Sequence, residues 1–143
     1  MNEPEVIRAM LGHPPADPRT IAVIGLSDNP DKPSNYVPTY MQRHGYHIFP
    51  INPQIERVLG EKSHATLTDL IADLSVKPDI VNVFRLPKFI PAIVDQMIEL
   101  GLKNIWVQQG IVNMEAAAQA ESAGINVVMD RCIMVEHRHL TTG

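Results

Sequence analysis

Short apolar runs alternate along the chain with longer stretches in which apolar residues return every three or four positions. The first run, Ile21-Ala22-Val23-Ile24, breaks at Gly25-Leu26-Ser27, passes a Pro-rich loop and a helical stretch, and returns at Gly45 into a second run ending Ile51-Asn52-Pro53. A third, Asp79 to Phe84, is bracketed by Pro78 and Pro87, and two more follow Gly101 and Gly124. Helical patterns that end at Gly45, Gly101 and Gly124 stop there because glycine closes a last turn in the left-handed conformation. The stripes between the runs are Val37, Tyr40, Met41 and His44 in one helix, and Ile90, Ile93, Val94, Met97 and Ile98 in another, the spacing of one buried face. Pro38 lacks an N–H and belongs in a first turn, which puts the start of its helix at Ser34 or Asn35.

The remaining elements are less regular. Residues 55 to 77 are poorly patterned and accommodate an extended piece near Arg57 to Leu59 and a helix near Leu67 to Leu74. An Ala-rich helix covers Asn113 to Ala123, Asn2 to Leu11 forms a leading helix with Pro4 in its first turn, and a closing turn spans Glu136 to Leu140. Strands that alternate with helices pair in parallel through right-handed crossovers. The expected fold is therefore α/β: a three-layer, doubly wound Rossmann-like sandwich on a five-stranded parallel sheet. One domain is expected, with residues 1–19 as a helical extension and 20–143 as the nucleotide-binding body.

Composition narrows the function classes. With 143 residues, 45% of them hydrophobic and 20% charged, the chain can hold a core without disulfides or metals. A net charge of -4 offers no basic field for a phosphate backbone, so nucleic acid is not the expected partner. One cysteine, Cys132, and no basic-then-apolar leader point to a cytoplasmic protein, and no apolar run has membrane-spanning length.

Doubly wound sheets bind ligands at the carboxyl ends of their strands. Those positions are Gly25-Leu26-Ser27, Asn52-Pro53, Phe84-Arg85, Gln108-Gln109-Gly110 and Asp130-Arg131-Cys132, a polar rim on an apolar sheet. Gly25 is either a tight turn or a turn that lets a pyrophosphate approach the backbone. A dinucleotide fingerprint needs two further glycines where Ser27 and Pro30 stand, and an acid where Asn52 stands. Of the basic residues near the rim, Lys32, Arg43, Arg85, Lys88 and Arg131, Arg85 alone directly follows a buried strand, where a guanidinium can clamp a phosphate. The histidines, His13, His44, His47, His64, His137 and His139, show no metal-ligand spacing. Ser27 and Cys132 lack a sequence feature that would make either a nucleophile.

Taken in order, Ile24 to Ser27, Lys32-Pro33-Ser34, His44-Gly45-Tyr46, Ile51-Asn52-Pro53, Val83-Phe84-Arg85, Gln109-Gly110 and Met129 to Cys132 resemble the small stand-alone CoA-binding proteins. Their fold is similar to the CoA-binding domain of the succinyl-CoA synthetase alpha subunit. The resemblance implies that coenzyme A or an acyl-CoA is the ligand. Gly25, Leu26, Ser27, Lys32 and Ser34 would hold its phosphates, and Asn52 and Pro53 would lie at its adenosine. It also implies a nucleotide and pantetheine path along Phe84, Arg85, Gln108, Gln109 and Gly110, with Cys132 near its end. The synthetase's phosphohistidine domain has no counterpart here, and Ile133 stands where the synthetase has proline after its cysteine. The chain reads as a binding module rather than an enzyme, acting alone or on a partner enzyme, as monomer or homodimer. The alternatives are an NAD(P)-binding oxidoreductase and a regulatory protein-interaction domain with a vestigial pocket.

Overall fold

In the computed structural model, which describes residues 1–12 and 19–142, the apolar runs form the five strands of one parallel sheet. In chain order the strands are β1 (Thr20–Ile24), β2 (His47–Ile51), the short β3 (Arg57–Val58) and β4 (Glu61–Lys62), β5 (Ile80–Val83), β6 (Asn104–Val107) and β7 (Asn126–Met129). The helices are α1 (Pro4–Leu11), α2 (Pro33–Arg43), α3 (Leu67–Leu74), α4 (Ile90–Leu100), α5 (Met114–Ser122) and α6 (Ile133–Thr142). His13 and the later part of the expected helical extension lie outside the described residues, as does Gly143.

The sheet order is β2-β1-β5-β6-β7, all parallel. The chain winds outward from β1 to β2 and then returns to β5 on the other side of β1, so the switch point lies between β1 and β5. Strands covered on both faces need apolar residues on both. Thus Ala22, Val81, Ile105 and Val127 pack against α3, α4 and α5, while Ile21, Val23, Ile80 and Val128 pack against α1, α2 and α6. In α5, the small side chains Ala116, Ala117 and Ala120 are the buried ones. Each sheet edge is engaged at its carboxyl end: Asn2 brackets β7 through Met129 N and O, each 2.8 Å away, and His64 bridges to Ile51 beside β2.

Several details depart from the sequence expectation, among them His44, which follows α2 as its C-cap and is exposed rather than on the buried stripe. Helix α2 begins at Pro33, not at Ser34 or Asn35, because Pro33 takes the first helical position after Lys32. Pro38 consequently lies inside the helix and has no N–H for the Ser34 carbonyl four residues earlier. Ser27 N donates to that carbonyl instead, at 3.1 Å. The closing turn is a full helix, α6, that starts directly after Cys132, since its first amide is capped from β6 as described below. Ile98, expected on the buried stripe, is 44% exposed, and the short hairpin of β3 and β4 was not foreseen beyond its first strand. Among the described residues, no helix is long and apolar enough to cross a membrane.

Candidate functional site

Three strands meet at Gly25. Its N–H donates to Ile51 O at 2.9 Å, and Phe84 N donates to Ile24 O at 2.9 Å. Gly25 has φ +86°, and a Cβ there would lie 2.6 Å from the Phe84 carbonyl oxygen. Only a residue without a side chain lets the exits of β1 and β5 come this close.

The loop that follows is held by short polar side chains. Asn35, buried in the first turn of α2, donates from Nδ2 to Ser27 O at 2.7 Å, and Asn29 N donates to Ser27 Oγ at 3.0 Å. Asn52 donates from Nδ2 to Leu26 O at 2.9 Å and accepts from Gln54 N at 2.8 Å. Its amide is thus engaged in bracing the backbone of the β1 exit. Leu26 is fully buried in the core beneath α2, and Pro53 is exposed at the outer edge.

A cleft of ≈ 780 Å³ opens along the carboxyl edge from the switch point towards α6, within the size range of ligand sites. The structure brings Lys32 and Ser34 from the start of α2, Phe84 and Arg85 from the exit of β5, Gln108 and Gln109 from the exit of β6, and Cys132 into its wall. Gly25, Leu26, Ser27, Asn52, Pro53 and Gly110 are not in that wall; the first three support it, and Asn52 and Pro53 lie beyond it at the end of β2.

The cleft is electropositive at one end. α2 starts there with no acidic residue in its first turn, so the positive end of its dipole faces the opening, whereas α6, which starts farther along the rim, carries Glu136 in its first turn. Among the described residues, no carboxylate lies within ion-pair distance of Lys32 or Arg85. The Arg85 guanidinium lies 4.2 Å from the centre of the Phe89 ring, with the Lys88 ammonium 5.3 Å away. Phe89, 37% exposed, thereby positions Arg85 by cation–π attraction. Arg131 is committed elsewhere, to Glu136 at 3.9 Å and Asp130 O at 3.1 Å. Arg43, expected near the rim, is in the last turn of α2, and so lies at the opposite end of the sheet.

Gln108 has a second task besides lining the cleft. Its buried Oε1 accepts from Ile133 N at 3.1 Å, the first amide of α6, and from Asn82 Nδ2 at 3.3 Å. Asp130 Oδ1 accepts from Gly110 N at 2.8 Å, and Trp106 Nε1 donates to Arg131 O at 2.9 Å. These bonds tie the exit of β6 to the turn before α6, which sets where Cys132 sits.

Away from the cleft, Nε2 of buried His64 lies 2.8 Å from Asp73 Oδ2, and Lys62 Nζ lies 3.1 Å from the same oxygen. His64 first, then Lys62, holds the Asp73 carboxyl below its usual range. Tyr46 donates to Leu11 O at 2.8 Å, and burial pushes its hydroxyl up to about 12.

Sequence reasoning missed the apolar part of the wall: Tyr36, Leu86, Ile111, Met134 and Val135. The signal was present, because Leu86 and Ile111 are large apolar residues in turns just past strands, where a solvated rim would be polar.

The model of the CoA binding domain matches residues 19–138. The chain belongs to the CoA-binding domain family. An uncharacterised Bacillus subtilis (strain 168) protein, YneT, is 41% identical over 119 residues, which cover 83% of this chain and 85% of YneT. A hypothetical protein from Pyrococcus horikoshii OT3 of known structure is 35% identical, with TM-score 0.84 over 97% of this chain and 92% of its own. The dinucleotide-forming acetyl-coenzyme A synthetase 1 of Candidatus Korarchaeum cryptofilum is 20% identical with TM-score 0.64, covering 80% of this chain and 26% of the synthetase. At that identity the likeness is one of fold: family members and the larger enzyme share the doubly wound sheet.

Proposed function

We propose that this family member binds coenzyme A or an acyl-CoA in the cleft at the switch point, as a binding module. The observation that carries the reading is the convergence of Lys32, Arg85 and the N-terminus of α2 on one cleft, with no carboxylate among the described residues within ion-pair distance of either cation. Such a site suits a pyrophosphate. Lys32, Ser34 and Arg85 hold the diphosphate over the turn that Gly25 to Ser27 supports, the Gln109 side chain beside Gln108 matches the amides of pantetheine, and the thiol end lies towards Cys132. Adenosine extends over Asn52 and Pro53. A nicotinamide dinucleotide is less well served, since β2 ends in an amide already bonded to Leu26 O and Gln54 N, where a ribose-binding carboxylate would stand.

Calorimetric titration with CoA, dephospho-CoA, NAD and NADP tests the reading. CoA should bind, and Arg85→Ala should weaken it by about 1.5–3 kcal/mol, a tenfold to hundredfold rise in Kd. Unchanged CoA affinity in Arg85→Ala removes Arg85 from the site, and binding of NAD without CoA removes the reading.

A further inference from the structure

We infer that the cleft is built for an acyl thioester of CoA rather than for the free thiol, with the acyl chain lying against Leu86, Ile111, Met134 and Val135. The inference rests on the reading of the cleft as a CoA site. It starts from the cleft's asymmetry. Charge is gathered at the start of α2 and the exit of β5, in Lys32 and Arg85, and hydrogen-bonding side chains follow at the exit of β6, in Gln108 and Gln109. Beyond them the wall is apolar, from Ile111 in the turn after β6 and Met134 and Val135 in the first turn of α6, while Leu86, directly after Arg85, carries the apolar surface back to the exit of β5. Ile111 is packed on one of the two cores and Met134 on the other, so this end is a floor fixed from both sides of the sheet.

The strand order gives the cleft a direction. A ligand anchored by its phosphates beside β1 and running past β5 and β6 reaches the start of α6 with its far end, which for CoA is the sulfur. Beyond its last amide free CoA has only two methylenes and a thiol to place there, too little to cover Ile111, Met134 and Val135 together. An acyl group continues the chain into the apolar wall. Leu86 is 62% exposed; a large apolar side chain so open in the same cleft wall as half-buried Ile111, Met134 and Val135 is the mark of a surface that a ligand covers. The occupant must be anionic at one end and apolar at the other, as an acyl-CoA is.

The test is calorimetric titration of the full chain with CoA and with acetyl-, butyryl-, hexanoyl- and octanoyl-CoA below their micelle concentrations. Each methylene covered by the wall should lower Kd about two- to fourfold, so that octanoyl-CoA binds at least about tenfold more tightly than CoA. Leu86→Ser and Val135→Ser should each flatten the series, with folding checked by thermal melts. A Kd that is flat or rises with chain length, while CoA itself binds, overturns the thioester assignment and leaves the CoA reading standing. A slope unchanged in both variants overturns the assigned wall. No binding of any member, free CoA included, sinks the underlying reading instead.

Discussion

Replacing Gly25 with alanine puts the geometry of the switch point to a quantitative test. The new methyl carbon would lie 2.6 Å from the Phe84 carbonyl oxygen, well inside an ordinary contact of about 3.5 Å. Neither side can move freely, since Gly25 N is bonded to Ile51 O and Phe84 N to Ile24 O. Two costs add. A side chain at φ +86° costs about 1–2 kcal/mol, and forcing the exits of β1 and β5 apart costs about 1–3 kcal/mol more. The expected loss is about 2–5 kcal/mol, or roughly 4–20 °C in Tm for a chain of this size. Gly110→Ala is the control: it shares φ +86° but has nothing within 4 Å of the added carbon, so only the first cost of about 1–2 kcal/mol applies. Urea unfolding of both variants, compared at equal m-values, isolates the contact. If Gly25→Ala proves no more destabilising than Gly110→Ala, the two strand exits are not in the close approach described here.

Two further perturbations address the supports of the site. Gln108→Leu leaves Ile133 N without its acceptor and should cost about 1–3 kcal/mol by urea unfolding; a loss below about 0.5 kcal/mol would mean that α6 is not held from β6. For Asp73, the folded carboxyl is held below its usual 3.8 by His64 and Lys62. Its stabilising contribution is therefore complete above the unfolded value and lost as pH falls through the folded one. Asp73→Asn should flatten the stability curve below about pH 4, and an acid limb identical to that of the parent chain would contradict these two contacts.

The parts of the fold legible in the sequence are those fixed by local rules. Gly101 and Gly124 end helices, Pro78 and Pro87 bracket β5, and the stripe in α4 faces the core except at Ile98. What was illegible depends on partners distant in the chain. The start of α6 is set by Gln108, which lies 25 residues away from Ile133, and nothing near Cys132 announces it. Pro38 misled because Pro33 had already taken the first helical position, and the freed Ser34 carbonyl makes sense only once Ser27 is seen to use it. At the site, the polar rim could be read from the ends of the strands. That the amide of Asn52 turns inward to Leu26 could not, nor could Leu86, Ile111, Met134 and Val135 be seen to share one wall, because such a wall is assembled from two turns and the start of a helix far apart in the chain.

The central claim, that the cleft takes CoA, is tested most directly by native mass spectrometry of freshly purified chain, followed by titration with CoA and NAD. The account predicts a noncovalent complex of the mass of one CoA or acyl-CoA per chain, formed or restored by added CoA and strongly reduced in Arg85→Ala. A chain that takes up NAD and ignores CoA would contradict it.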